Sequence, residues 1–139
     1  MASMAVGVVV EGRAIQHRWR GWRGRVVGGV PGLAVREPWR PMVQGAGWAR
    51  YAAGAPALEL HRKATEDYRL ALSATPPQLY VVLRAEETRP VPFVPFLVTA
   101  SPWEAQAYDG GDDLVDAVAM PEPTAAWIDA FLAEHHVDQ

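Results

Sequence analysis

The chain contains 139 residues, of which 50% are hydrophobic and 21% charged, and its formal net charge is −3. This length predicts one domain, residues 1–139, that can bury a core without disulfides or metals. The sequence has no cysteine, which excludes disulfides, thiolate metal sites and a cysteine nucleophile and is typical of a cytoplasmic protein. The longest apolar run, residues 5–10, is too short to cross a bilayer and follows no basic region, so we expect neither a membrane span nor a signal peptide.

Charge is distributed unevenly along the chain. Residues 1–63 contain ten arginines and lysines and three acidic residues, for a net charge of +7, whereas residues 64–139 contain three arginines and thirteen acidic residues, for −10. Opposite charges on the two halves can attract each other within one compact domain. Alternatively, the basic half forms a surface that meets an anionic ligand or an acidic partner.

Glycines and prolines divide the first two thirds of the chain into short apolar segments of the length typical of strands. The predicted strands are residues 4–10, 22–27, 39–43, 48–52, 79–83 and 93–98. We expect the third and fourth of these strands to form a hairpin across the glycine turn at residues 45–47.

Residues 58–72 allow two interpretations. Apolar residues alternate with other residues at five positions: Leu58, Leu60, Tyr68, Leu70 and Leu72. Because a period of two is the period of a strand, we predict two paired strands joined around residues 63–66. The alternative is a helix over residues 62–72.

The last third of the chain predicts two helices. Ser101, Pro102 and Glu104 form a capping box that begins a short helix, which ends near Tyr108. An extended stretch then leads to Met120, and two prolines open a final helix. Its apolar stripe contains six residues: Ala125, Trp127, Ile128, Phe131, Leu132 and His135. Strands followed by helices predict the α+β class, with a small antiparallel sheet or partly open barrel followed by one short and one longer C-terminal helix.

The segment from residue 18 to residue 25 is the most unusual local feature, because it interleaves arginines with tryptophans. It contains six candidate binding residues: Arg18, Trp19, Arg20, Trp22, Arg23 and Arg25. Guanidinium groups bind phosphate and carboxylate, and indole rings stack on flat heterocycles, so the segment predicts a site for an anionic planar ligand. The alternative is a structural strand in which Trp19 or Trp22 enters the core and the arginine stems cover the other face. Nucleic-acid binding is a further alternative for this segment, although the acidic composition of the whole chain does not favour it.

The remaining polar residues predict no catalytic residue, no metal ligand and no cofactor. His61 has no serine, threonine or acid placed to complete a catalytic triad. The acidic residues between positions 109 and 116 lack the glycine and the final glutamate of a calcium loop. The glycines between positions 21 and 32 lack the lysine and hydroxyl residue of a phosphate loop.

Several segments resemble a known bacterial family. They are VGVVVE (6–11), HRWR (17–20), ALELHRKATE (57–66), YVVLR (80–84), PFLVTASPWEAQ (95–106) and HHVD (135–138). Together they extend over nearly the whole chain and are similar to a family of unknown function that is encoded beside molybdenum-dependent formate dehydrogenase genes. Some members are labelled molybdopterin-guanine dinucleotide biosynthesis protein A. The resemblance supplies no catalytic residue, but it implies a role in making, maturing or supporting a molybdoenzyme.

Two functional hypotheses follow from this resemblance and from the lack of a catalytic constellation. The first is a non-enzymatic accessory protein for formate dehydrogenase that binds a protein partner, either a dehydrogenase subunit or a maturation factor, without membrane association. The alternative is a small-molecule module that binds the molybdenum cofactor, a related anionic pterin or a guanine nucleotide through residues 18–25.

The basic triplet His61, Arg62 and Lys63 lies within the most recognisable of these segments and is a candidate docking site. Strand periodicity predicts that His61 and Lys63 are exposed, on the face opposite the core leucines. If Arg62 instead bridges to an acid such as Glu59 or Glu66, the triplet has a structural role.

Overall fold

The structure, a computed structural model, describes residues 2–13, 24–33, 35–85, 93–109, 111 and 113–135. Within these ranges the chain forms eight strands: β1 (Ala2–Arg13), β2 (Gly24–Pro31), β3 (Arg40–Gly45), β4 (Trp48–Gly54), β5 (Ala57–Leu60), β6 (Gln78–Ala85), β7 (Phe93–Thr99) and β8 (Leu114–Ala119). It also forms three α-helices: α1 (Thr65–Ser73), α2 (Pro102–Gln106) and α3 (Glu122–His135). A 3₁₀ turn, Arg62–Ala64, precedes α1.

All eight strands belong to one sheet that is organised around the long strand β1. The first residues of β1 pair with β5, from Ala2 opposite Leu60 to Ala5 opposite Ala57. The later residues of β1 pair with β2 on one edge and with β4 on the other. Beyond β5 the order continues through β7 and β6 to β8, and β3 lies outside β4. The sheet curls into a half-barrel.

The predicted α+β class and the partly open barrel are confirmed, and α2 and α3 are the short and the longer C-terminal helices. The sheet is mixed rather than purely antiparallel, because β5 and β7 pair in parallel at Leu58 and Val98. The third helix, α1, lies earlier in the chain, between β5 and β6.

The core combines alternate residues of the strands with one side of each longer helix. Val6, Val8 and Val10 of β1 are fully buried, as expected for residues that project from the same face of a strand. Tyr68 of α1 and Phe131 of α3 join the same apolar cluster. Their rings meet edge to face with centroids 6.2 Å apart, which packs α1 against α3.

The predicted strand through Tyr68, Leu70 and Leu72 is wrong, and the alternative, a helix, is correct. A strand would place all three side chains on one face, yet Tyr68 is buried and Leu70 is 52% exposed. The buried residues of α1 are spaced by three, as on a helix: Thr65, Tyr68 and Ala71. A short apolar pattern fits both periods, and packing against α3 selects the helix.

The other predicted elements are confirmed within the described residues. The hairpin of β3 and β4 turns at Gly47, whose positive φ of 76° suits glycine. In the capping box, Oγ of Ser101 accepts a hydrogen bond from the backbone N–H of Glu104 at 3.1 Å and donates one to Asp67 of α1 at 2.7 Å. The cap therefore also connects α2 to α1. Of the second predicted strand, residues 22 and 23 lie outside the described residues.

A side-chain hydrogen bond joins β2 to β8, which are remote in the sequence. The backbone N–H of Val26 donates to Oδ2 of Asp116 at 3.0 Å. Because β8 ends the strand order on one side and β2 pairs only with β1 among the described strands, the Asp116 carboxylate brings two edges of the half-barrel together.

Replacing Asp116 with alanine tests this contact. The N–H of Val26 would lose its acceptor in a partly buried position, so we expect the free energy of unfolding to fall by about 1–3 kcal/mol. Urea denaturation measures the change. Asp116→Asn retains an acceptor oxygen and should cost less, and Asp129→Ala, at an exposed acid of α3, should cost less than about 0.5 kcal/mol. Equal effects of the two alanine substitutions would contradict the role of this bond.

Candidate binding surfaces

The predicted binding residues that the structure describes lie near opposite ends of β1. Arg25 of β2 pairs with Glu11, whereas the basic triplet, residues 61–63, follows Leu60, which pairs with Ala2. Along an extended strand, Ala2 and Glu11 are roughly 30 Å apart. Five residues of the arginine–tryptophan segment lie outside the described residues: Arg18, Trp19, Arg20, Trp22 and Arg23. Arg25 and the triplet therefore cannot contact the same small ligand.

Arg25 belongs to a row of charges that crosses three strands. Glu11 lies opposite Arg25 on β2 and opposite Arg50 on β4, and residues opposite each other in antiparallel strands project from the same face of the sheet. The Glu11 carboxylate lies 3.6 Å from Nη2 of Arg25 and 3.2 Å from Nε of Arg50. One carboxylate therefore pairs with two arginines, and the three side chains together have a net positive charge.

Trp48 lies beside this row at the start of β4. The Arg50 guanidinium carbon is 6.0 Å from the centroid of the Trp48 ring. The indole packs directly against Gly45, where a Cβ atom would overlap with it, so a larger residue at this position would displace the indole. A small open cleft lies next to the indole and is lined by four residues: Glu11, Ala46, Gly47 and Trp48.

The cleft combines an indole face and neighbouring guanidinium groups with a carboxylate. Indole and guanidinium groups suit a flat anionic molecule. However, Glu11 already engages both Arg25 and Arg50, so such a ligand would gain its ion pairs only by displacing Glu11. The described part of the arginine–tryptophan segment is thus paired within the protein.

The edge strand β3 is exposed over its whole length. Met42 is 49% exposed and Val43 is 52% exposed. Arg40 in the same strand and Arg36 just before it are also exposed, and neither forms an ion pair with another described residue. None of these residues belongs to the sites predicted from the sequence. In the sequence, Pro41 alone indicated that this strand lies at a sheet edge, because proline within a strand is confined to sheet edges and bulges.

The basic triplet occupies the turn between β5 and α1. Because β5 ends at Leu60, His61 precedes the 3₁₀ turn and strand periodicity does not extend to Lys63. The three side chains of the triplet are nevertheless all exposed. The backbone N–H of His61 donates to the Tyr68 hydroxyl at 2.8 Å. Burial raises the pKa of Tyr68, so the hydroxyl that holds this turn stays protonated.

Arg62 pairs with a histidine rather than with an acid. Its Nε donates to Nδ1 of His135 at 3.2 Å, and not to Glu59 or Glu66, the bridge that the structural alternative required. The His135 imidazole packs against Phe131 with ring centroids 4.5 Å apart. Oε1 of Glu59 lies instead 3.4 Å from Nε2 of His61, the first residue of the triplet. The triplet therefore contacts the end of α3.

A further group, which the sequence did not indicate and which is only partly exposed, lies on β6, β7, α2 and the segment that follows α2. The Arg84 guanidinium carbon lies 3.5 Å from the centroid of Phe96, and its Nε lies 3.5 Å from Oδ1 of Asp113. Phe96 also meets Tyr108 edge to face, with centroids 5.6 Å apart. Trp103 of α2 is 65% exposed. Apart from Trp103, the side chains of this group contact one another through these ring contacts and this ion pair.

The described part of the chain contains neither a cluster of metal ligands nor a helix that could span a membrane. There, no three histidine, aspartate or glutamate side chains are grouped so as to hold a metal ion. Asp113, one of the acids considered for a calcium loop, pairs with Arg84. No helix in the described ranges is long and apolar enough to span a membrane.

These features define an α+β fold with a curled mixed sheet and an exposed, basic edge strand. The chain belongs to the family described as protein of unknown function (DUF3305), whose model matches residues 5–139. No curated protein and no solved structure matches the chain. The resemblance noted in the sequence is thereby confirmed at the level of a family of unknown function.

The double substitution His61→Ala, Lys63→Ala separates a docking role of the triplet from a structural one. Both side chains are exposed, so their loss should change the free energy of unfolding by less than about 0.5 kcal/mol. Arg62→Ala also removes the bond to His135 and should cost more, up to about 1 kcal/mol. Thermal unfolding compares the variants. A large fall in Tm for the double variant would exclude a docking role.

Proposed function

We propose that this protein is a non-enzymatic accessory protein for formate dehydrogenase or another molybdoenzyme, and that it acts by binding a protein partner. The exposed hairpin of β3 and β4 is the observation that supports partner binding. Met42, Val43 and Trp48 expose large apolar side chains within this one hairpin, and arginines border them. Exposed apolar groups rimmed by charged residues are typical of protein–protein contacts.

The proposed link to a molybdoenzyme is supported by sequence similarity rather than by geometry. It rests on the segments at residues 57–66 and 95–106 in particular. The partner that we propose is a dehydrogenase subunit or a maturation factor, and the compartment that we propose is the cytoplasm.

Affinity purification from native extract tests this function. The tagged full chain should enrich a formate dehydrogenase subunit or a molybdenum-cofactor maturation factor over a tag-only control, and mass spectrometry identifies the enriched protein. Reciprocal purification through the tagged dehydrogenase subunit should return this chain. In cells, deletion of the gene should lower formate dehydrogenase activity while the apoenzyme remains present. Eluates that never contain either class of protein, together with unchanged activity after deletion, would refute the proposal.

The alternative function is binding of the molybdenum cofactor, a related anionic pterin or a guanine nucleotide. Its support is the Trp48 indole beside the Arg50 guanidinium at the cleft. Calorimetric titration with GMP or the cofactor should then give saturable heat that Trp48→Ala removes. Because an anion competes with Glu11 for the arginines, Glu11→Gln should strengthen binding. Absence of heat at protein concentrations that detect micromolar affinity would exclude this alternative.

A further inference from the structure

We infer that the β3 edge is the docking surface for an acidic segment of a protein partner, one that presents aliphatic side chains between its carboxylates. The inference rests on the proposed function, because it names the chemistry of the partner that this function requires. Four described residues form the surface: Arg36, Arg40, Met42 and Val43.

The exposure of β3 shows that neither of its faces packs on the core. All six residues of β3 are exposed, whereas β5 alternates exposed and buried residues. Alternation is the pattern of a strand with one face on the core. Its absence in β3 leaves both Met42 and Val43 about half exposed, at 49% and 52%. When a partner covers adjacent apolar side chains of this kind, their removal from water favours binding.

Two arginines give this edge a net positive charge, because Arg36 and Arg40 outnumber the one acid between them, Glu37. In the neighbouring row, Arg25 and Arg50 share the carboxylate of Glu11. Arg36 and Arg40, by contrast, form no ion pair in the part of the chain that the structure describes. Unpaired guanidinium groups next to apolar side chains attract carboxylates and repel basic segments. The charge therefore selects an acidic partner.

The edge is also built so that a partner contacts side chains rather than extends the sheet. Pro41 has no backbone N–H to donate, and the register between β3 and β4 shifts between Pro41 and Val43. Proline, bulges and charged residues are the features that prevent an edge strand from adding further strands. The apolar side chains of Met42 and Val43 are thus presented on an edge that resists non-specific pairing.

Selection of a random peptide library displayed on phage against the immobilised full chain tests the inference without a known partner. Enriched peptides should contain more aspartate and glutamate than lysine and arginine, together with aliphatic residues. A labelled synthetic copy should bind in fluorescence anisotropy, and more weakly as salt is raised, because salt screens the exposed ion pairs. Enrichment of basic peptides, or no enrichment, would overturn the inference.

Substitutions then locate the site with the synthetic peptide. Arg40→Glu should weaken binding by at least about tenfold, whereas Arg40→Lys should stay within about threefold of the unmodified chain. Val43→Ser should also weaken binding by about tenfold. Leu70→Ser is the matched control, since Leu70 on α1 has the same exposure as Val43, 52%, and it should leave binding unchanged. Arg36→Glu is the second charge variant if Arg40→Glu does not fold.

Because all these positions are exposed, each variant should keep its Tm within about 2 °C of the unmodified chain. Two results would overturn the inference even if acidic peptides bind. Loss of binding in Lys63→Glu but not in Arg40→Glu would assign docking to the basic triplet. Concentration-dependent dimerisation in analytical ultracentrifugation, abolished by Val43→Ser, would make a second copy of this chain the occupant.

The inference and the proposed function fail in different ways. If a dehydrogenase subunit or maturation factor co-purifies equally with the unmodified chain and with Arg40→Glu, the function stands and the docking surface is wrong. If acidic peptides bind as expected but neither class of protein co-purifies, the docking surface stands and the proposed function is wrong.

Discussion

The structure depends on the strand β1, because both parts of the sheet pair with it. Its first residues pair with β5, which leads to β7, β6 and β8, and its later residues pair with β2 and β4 at the same time. Val6, Val8 and Val10 are fully buried along this strand, and β-branched residues suit such a position. On the other face, Leu33 packs so close to Gly7 that a Cβ atom there would lie 2.6 Å from it. The valines and the glycine of this run are therefore needed for different reasons: the valines fill the core, and the glycine admits a neighbouring segment.

The same arrangement separates the residues that stabilise the fold from the residues that are available for binding. β3 lies two strands from β1, and none of its side chains is buried. The row of Glu11, Arg25 and Arg50 crosses β4, β1 and β2, the strands that follow β3, and is internally paired. Substitution of an exposed residue changes stability little, whereas loss of a buried valine leaves a cavity. Side chains on the β3 edge can therefore determine which partner binds without disturbing the core.

The elements that could be predicted from sequence are those defined by neighbouring residues. The capping box at Ser101 and the glycine turn of the β3–β4 hairpin depend on contacts within a few positions, and both are present. The bonds that connect distant parts of the chain could not be predicted, because a single sequence does not indicate which residues meet. Asp116 lies 90 residues from Val26, and His135 lies 73 residues from Arg62. The exposure of Met42 and Val43 was missed for the same reason, since it follows from the place of β3 at the edge of the strand order. Residues 65–73 fit both the strand and the helix period, and only packing against α3 distinguishes the two.

The uneven charge of the chain can now be related to where its ion pairs form. The ion pairs of the basic half, as far as the described residues show, use its own few acids: Arg25 with Glu11, Arg50 with Glu11, and His61 with Glu59. Those of the acidic half likewise use its own bases: Arg69 with Glu66, Arg84 with Asp113, and His135 with Glu134. None of these pairs connects the two halves, so the opposite charges of the described residues in the two halves attract only at longer range, where salt weakens the attraction. The basic half has more cations than acids to pair with them, and the excess includes Arg36 and Arg40 at the β3 edge. A positive charge that is not used inside the protein is available to an acidic partner.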